Sequence, residues 1–582
     1  MSNEKVKNEN YQFAGGINTK VSKYLNAENE LLDLTNMNFV TAGALTKRPG
    51  TSLFLGASVA GRIGGLFEFE RLNGQSYVVA TANTNAYSIQ SGAFNSFRSG
   101  LKDNGIFSFI PFVDRLFMGN GQDFFKFNGT NTSNYSLPAG VSGAGFGITG
   151  IYSASGGLSG TVVAGYGYVN DAGYFGPVSS GITVSLNGIS FNALLYTGMT
   201  VAPGFGVSSI YLYRSAASSV NMFGTTQIGL GSSFVDFSAL SANISPPYQH
   251  FTLAPQFLEL YNNQMMMAGF SAFPSTVYWS DIGVPEGVQP QSFAEFRTND
   301  GDVVRGIRAY QNNLIVCKER STLLLSGEVP ENFSIQQLTD QYGTVSNRTM
   351  VTYNNTLLFL DTKGVCQFNG ANIEIISMKV EDIFSRMNVS AARNEACAIH
   401  NRQYNEIWFA FPIDGSTVNN IVIVYDYIVN AWTKYEGLNI SSLATVRSSF
   451  AQKTPFFGGY SGFVSFFDPL LTSDNGAAIT CLIQSRFITN YGQSIEQQFR
   501  RFFLNLDPIV GSTQPIEVNF RSNYGASNIL SFTNAILQNP FQTRVDFGIP
   551  AKVLSAQIVH TSASLSFKVF GFTVESRYQR NV

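Results

Sequence analysis

Charge is the first thing this sequence is short of. Asp, Glu, Lys and Arg make up 13% of its 582 residues, about half the usual share. A surface this poor in charge suits extensive contact with partners. The formal net charge is −2, so no basic field exists to hold nucleic acid by counterion release. Cysteine is scarce too. Cys317, Cys366, Cys397 and Cys481 are widely spaced, which excludes a CxxC zinc knuckle and a small disulfide framework. Cys317 ends the apolar run Leu314-Ile315-Val316, and Cys397 sits between Ala396 and Ala398, so buried free thiols are expected. The three histidines, His250, His400 and His560, lie far apart and form no HExxH or paired-His metal motif. No GxSxG elbow and no GxxxxGK[ST] phosphate loop occurs. Apolar runs of about 18 residues are also missing, so no membrane span is expected. Met1–Asn10 lacks the apolar stretch of a signal peptide, which points to synthesis in the cytoplasm.

What the sequence does have is aromatic and glycine residues: 50 Phe, 26 Tyr and 55 Gly. Rings pack well on pleated sheets and glycine supplies tight turns, so the chain reads as all-β. A unit recurs in which an Asn, Asp or Gly turn precedes a short apolar strand. Its copies are Leu72–Ala80, Val113–Met118, Tyr261–Met267, Tyr310–Val316, Tyr353–Phe359, Asn401–Phe409 and, more weakly, Phe450–Phe457. Adjacent copies lie about 40 to 50 residues apart, the period of a four-stranded propeller blade. A β-propeller of about six to eight blades is therefore expected. The interval from Asp114 to Asn262 is too long, and an inserted domain of roughly 110 residues restores the period. The near-duplicates Phe124–Gly129 and Val365–Gly370 read as the outer strands of blades.

The insertion, 141–247, alternates apolar and polar residues through Gly165–Pro177 and Val207–Ser215 and closes at Ser232–Phe237. Period-two alternation with frequent turns predicts a fibronectin type III-like β-sandwich. The blade rhythm stops near Thr472, where Phe499–Leu506, Ile516–Arg521 and Leu565–Phe572 read as strands of a sandwich-like C-terminal domain. The organisation expected is thus an N-terminal extended segment (1–60), first blades (61–140), the insertion (141–247), the remaining blades (248–471) and a C-terminal β-domain (472–582). One short helix is expected, Val380–Asn388, with Ile383, Phe384 and Met387 on one face as a lid or connector.

Candidate chemistry resolves into structural readings. Asp300-Gly301-Asp302 lacks the ligand ladder of a calcium loop and reads as a hairpin turn. Glu68 with Glu70, and Glu381 with Asp382, read as solvated faces rather than glycosidase acids. Lys47-Arg48, before Pro49, reads as an exposed turn. Arg500-Arg501 reads as a rim salt bridge, or as a contact to a neighbouring subunit's carboxylate or to a phosphate. Met265-Met266-Met267 reads as a core strand. No catalytic, cofactor-binding or metal-binding residue is assigned, and no cofactor is expected.

The opening carries a phrase, Phe13-Ala14-Gly15-Gly16-Ile17-Asn18-Thr19-Lys20, then Leu31–Phe39, then Gly43–Gly50 with its Lys47-Arg48-Pro49-Gly50 turn. It resembles the start of tailed-phage structural proteins. Val277–Asp281, Ile315–Thr322, Ile421–Asp426, Asn430–Tyr435 and Arg500-Arg501-Phe502 follow in order. Together these make the chain similar to the tail nozzle, or DNA-stabilisation, proteins of short-tailed bacteriophages; the inserted sandwich departs from them. The resemblance implies a virion tail protein forming a ring, usually a hexamer, that contacts portal and adaptor proteins and other tail proteins. It would retain packaged DNA and pass it, in transient contact, during genome ejection. The alternative is a propeller-based tail adhesin for a host receptor or glycan, its sugar stacking on the aromatics of Tyr166–Phe175. A propeller hydrolase is a third reading.

Overall fold

Six of the seven copies of the turn join the first two strands of a four-stranded antiparallel meander. The structure, a computed structural model, describes residues 6–578 except 24, 42–43, 91, 103–105, 136, 138–139, 141–145, 171–174, 200–206, 231–232, 237–250, 299, 448–452, 508–515, 533–536 and 540–541. Blade 1 runs from Ile63–Glu70 to Ala93–Arg98, and blade 2 from Ser108–Phe112 to Thr132–Asn134. Blade 3 runs from Phe257–Tyr261 to Phe293–Glu295, blade 4 from Val304–Tyr310 to Ser334–Thr339, and blade 5 from Val351–Tyr353 to Ile373–Ile375. Blade 6 runs from Cys397–Asn401 to Ala431–Tyr435. Blade 7 takes three strands, Ile440–Arg447, Lys453–Gly459 and Val464–Asp468, from this part of the chain. Its fourth, Gly50–Leu53, comes from near the N-terminus and pairs antiparallel with Val464–Asp468. The β-propeller has seven blades among the described residues. The seventh repeat copy falls on its first hairpin, although 450–452 lie outside the described residues.

Local chemistry explains the repeat. The two-residue turns need positive φ at both centres, and Asn tolerates it best after Gly. Asn262 and Asn263 stand at φ 47° and 59°, Asn354 and Asn355 at 40° and 57°. In blades 3 and 4 the tyrosine before the turn ties one blade to the next. Tyr261 Oη donates to the Asn312 carbonyl (3.0 Å) and the Gly327 carbonyl (2.6 Å), and Tyr310 Oη to the Asn355 carbonyl (2.7 Å). Second strands lie between neighbouring blades and are buried on both faces, as at Met265-Met266-Met267 and Leu314–Cys317. First strands meet around the axis. Ser442 Oγ of blade 7 donates to the Ile63 carbonyl of blade 1 (2.9 Å), and Ser108 Oγ of blade 2 accepts from Leu258 N of blade 3 (3.1 Å). The phrases at Phe124–Phe127 and Gly364–Phe368 prove to be third strands, not outer ones. Thr132–Asn134 and Ile373–Ile375, too short to show a pattern, lie outside them.

Strands from residues 6–53 are built into both the propeller and the terminal sandwich. Glu30–Thr35 pairs with Ala477–Ser485 and touches the outer strand of blade 6 at Thr35 and Lys434. Val6–Tyr11 and Ala44–Lys47 both join Lys568–Tyr578. The result is two leaves closed over a shared core of Phe13, Leu34, Phe499, Phe502, Val518, Phe520 and Val569. The leaf that includes Ala477–Ser485 is continuous with blades 6 and 7 in a single 15-stranded sheet.

The Lys47-Arg48 turn is buried, not exposed, because it forms the joint of this closure. Arg48 Nη1 donates to Asp474 (2.9 Å), its Nε to Asn36 Oδ1 (3.0 Å), and its Nη1 also to the Pro49 carbonyl (3.0 Å). Lys47 Nζ donates to the Ser562 and Leu565 carbonyls. A Cβ on Gly50 would come within 2.2 Å of the Ser473 carbonyl, so only glycine fits there.

His560 packs against the same joint, fully buried and stacked on Phe567 with ring centroids 4.6 Å apart. Burial, then the Lys47 charge, pushes its pKa down to about 4. The unfolded ring takes its proton near pH 6.5. Its contribution to stability is therefore complete above pH 6.5 and is lost as pH falls towards 4, by about 3 kcal/mol. His560→Phe should remove that acid loss, so that between pH 7 and pH 4.5 its denaturant midpoint rises relative to that of the parent protein.

The insertion leaves between blades 2 and 3. Gly147–Ile151, Ala193–Thr197 and Ser233–Asp236 form one sheet. Ile182–Asn187, Ser159–Asn170, Val207–Ser215 and Met222–Gly229 form the other. The core between them is aromatic, with Tyr166, Tyr168 and Tyr196 buried. The segments 141–145 and 237–247 lie outside the described residues. Of three charged side chains in 141–247, Asp171, Arg214 and Asp236, the last two form a buried ion pair (3.0 Å).

Where one helix is expected there are two, Glu381–Ser385 and Val389–Glu395. Ile383 and Phe384 are buried as the shared face requires. The second helix starts at Asn388, whose side chain accepts from Ala391 N. That is a capping signal which the apolar pattern alone does not carry.

Candidate functional site

A cavity of about 880 Å³ touches the first strand of all seven blades and so lies on the propeller axis. Its wall has two halves. Blades 1 to 3 supply Leu66, Phe67, Phe107, Phe109 and Phe257, with Phe67 and Phe109 stacked at 5.5 Å. Blades 4 to 7 and their connectors supply Arg308, Arg348, Arg393, Arg402 and Lys453. No carboxylate is among the described lining residues.

The acids sit behind the cations. Glu259 lies 3.4 Å from Arg308; burial raises its pKa, and Arg308 opposes that. Glu319 pairs with both Arg393 and Arg305. Glu68, its side chain 3% exposed, holds Lys453 at 2.9 Å. Arg348 donates to the Asn394 and Ser441 carbonyls. Arg402, exposed in the first turn of blade 6, has no acidic partner among the described residues. His400 rests against Tyr427 (centroids 5.6 Å), and burial with the Arg402 charge lowers its pKa. A second cavity of about 580 Å³ shares Thr352, His400 and Arg402 with the first.

This arrangement attracts anions, and it sets no thiol–imidazole pair at the wall. Cys397 and His400 line the cavity from one strand, yet residues three apart point to opposite faces of it. Burial moreover pushes the Cys397 thiol up to about 11, well away from thiolate chemistry.

The residues singled out from sequence are scattered. All four cysteines are buried and free. Glu68 and Glu70 answer Lys453, and Arg447 pairs with Glu70. Glu381 meets Lys20, and Asp382 accepts from Thr19. Arg501 bridges Glu575 (3.0 Å) and Asp546 (3.4 Å) of its own sheet. Asp300-Gly301-Asp302 is not a hairpin turn but the connector into blade 4. Asp300 holds the buried Lys318 Nζ at 2.7 Å, and Asp302 accepts from Glu319 N (2.9 Å) and Arg320 N (3.2 Å). Tyr166 and Tyr168 are buried in the sandwich core and so offer no stacking surface; 171–174 and His250 lie outside the described residues. The cationic wall went unread because its members come from separate blades. One signal was available. Glu259 and Arg308 both stand two residues before the turn tyrosine, so aligning repeats would have placed them side by side.

No family model matches the chain, and no curated protein does. Among solved structures it is similar to BBS1N from a complex with ARL6DN soaked with mercury, at TM-score 0.27 and 9% identity, covering 73% of this chain and 97% of that one. It is also similar to the Neurospora crassa Pan2 WD40 domain, at TM-score 0.25 and 8% identity, covering 62% and 89%.

Proposed function

We propose that this chain is a structural protein of a phage tail, a nozzle subunit that assembles into a ring, retains packaged DNA and conducts it during ejection. Beyond the family resemblance, one observation carries the reading. The outer strands of blades 6 and 7 are each paired to the terminal sandwich, at Lys434 with Thr35 and at Thr51 with Asp474, within one 15-stranded sheet. Load applied at one end passes to the other through backbone hydrogen bonds rather than a hinge. Such a build suits a part that stands against packaged DNA. Electron microscopy of the purified protein and of disrupted particles tests it. The expected result is a closed ring with a bore of about 20 Å or more, wide enough for duplex DNA. Monomers found only at the particle periphery would overturn it.

A specific observation favours the adhesin as second reading. Ser159–Asn170 has its Asn170 end against the propeller, where Asn170 Nδ2 donates to Glu286 (2.6 Å). Its other end lies roughly 36 Å away, at about 3.3 Å per residue. There Tyr152 (68%), Ile189 (77%) and Phe191 (48%) are exposed. Asn187 accepts from Ile189 N, Ser190 N and Phe191 N, while Asn192 ties the turn to Ser153. An uncharged tip with fixed rings matches a neutral glycan. Under the adhesin reading, Tyr152→Ser with Phe191→Ser abolishes cell attachment and leaves particles intact; under the nozzle reading attachment is unchanged.

A further inference from the structure

We infer that the axial cavity is a binding site for an extended acidic peptide segment that alternates carboxylate and apolar side chains. The inference is independent of ring formation and of the nozzle reading. Three features converge. The cationic half of the wall exposes charge that its buried acids only partly answer. The side chains of Arg308, Arg393 and Lys453 are 40%, 35% and 49% exposed, and Arg402 stands without an acidic partner among the described residues. Carboxylates meeting such a wall form charge-assisted hydrogen bonds, strongest with the planar guanidinium. The opposite half is apolar, formed by Leu66, Phe67, Phe109 and Phe257, and receives the alternate side chains. The volume, about 880 Å³, is within the range of pockets that enclose whole ligands.

The third feature separates peptide from nucleic acid. First strands are the inner edges of their sheets, and such an edge presents to whatever lies beside it those N–H and C=O groups that neighbouring blades have not taken. A peptide backbone satisfies those groups by strand addition, with successive side chains pointing to opposite walls. Bases would need open ring faces to stack on. Phe67 and Phe109 each spend one face on the other, 11° from parallel, which halves the stacking surface the pair offers.

The test is fluorescence polarisation of the full-length protein with a fluorescein-labelled octapeptide of alternating aspartate and leucine. The expected result is saturable binding that weakens with added salt, at least tenfold tighter than an alternating lysine-leucine octapeptide. Arg402→Ala removes an exposed side chain and leaves the fold intact; it should weaken binding about fivefold, the effect of one charged contact near 1 kcal/mol. Arg402→Glu, which reverses the charge at the same exposed position, serves as second variant and should weaken binding further than Arg402→Ala. Equal binding of both peptides, no saturation at millimolar concentration, or unchanged affinity in both arginine variants would overturn the inference. A labelled dT8 oligonucleotide that binds tighter than the acidic peptide would overturn it in favour of single-stranded nucleic acid.

Discussion

Glu286→Ala is expected to destabilise the molecule by about 3–5 kcal/mol, the usual consequence of removing one partner from a buried ion cluster. Glu286 stands in the blade 3 loop with its side chain 2% exposed. It accepts from Arg115 (2.9 Å) and Lys126 of blade 2, and from Asn170 of the insertion (2.6 Å). Beside it Tyr135 Oη donates to the Pro285 carbonyl (2.6 Å). One carboxylate thus joins two blades and the inserted sandwich. Its loss deprives two buried cations of the acceptor they share. The sandwich should also lose its docking, so calorimetry is expected to resolve a separate, earlier transition for it. A single transition at the original temperature would show that the cluster does not hold the insertion. Glu286→Gln keeps the shape and the Asn170 contact but not the charge, and should fall between the two.

The second large effect is a loss of stability on the alkaline side, set by Glu406. This residue is 1% exposed, in the second strand of blade 6 and directly across from Asp426. Its Oε2 accepts from Trp408 Nε1 (2.7 Å) and Tyr435 Oη (3.4 Å). Burial pushes its pKa up to about 8, Asp426 adds to the rise, and the two hydrogen bonds oppose it. The pKa of Asp426 is raised by burial as well. The folded state therefore keeps a proton that the unfolded chain releases near pH 4.5. That contribution is complete below pH 4.5 and is lost as pH rises towards 8, by about 5 kcal/mol over the interval. Glu406→Gln should lose that fall and keep only the rise that His560 sets below pH 6.5. Denaturant midpoints at pH 5 and pH 8 measure the difference; an equal fall in both proteins would place the titration elsewhere. His560 acts in the opposite sense below pH 6.5, so the two effects offset each other between pH 4.5 and 6.5, and stability should be level there and fall above pH 6.5.

The propeller was legible because its turns repeat. Tyr261-Asn262-Asn263 and Tyr353-Asn354-Asn355 spell both the φ > 0 pair and the tyrosine that reaches the next blade. The length of the 114–262 interval announced the insertion for the same reason. The joint at Lys47–Gly50 was not legible. A Lys-Arg pair beside a proline reads as exposed unless the sequence also says that Asp474 and the Ser562 carbonyl come to meet it, and those partners lie over 400 residues away. The candidate site was hidden in a related way. Arg308, Arg348, Arg393 and Arg402 stand alone in sequence, and only closing seven blades around an axis makes them one wall.

That closure also sets a timetable. Gly50–Leu53 is made long before Val464–Asp468, the strand it pairs with. At about 5–20 residues per second, translation from one to the other takes roughly 20–80 s. For that interval the first strand of the seal has no partner, and the six earlier blades form an arc with two open ends. The ring is then completed in one late step that joins the beginning of the chain to its far side. A chain halted before residue 464 would carry a nearly finished propeller that cannot lock.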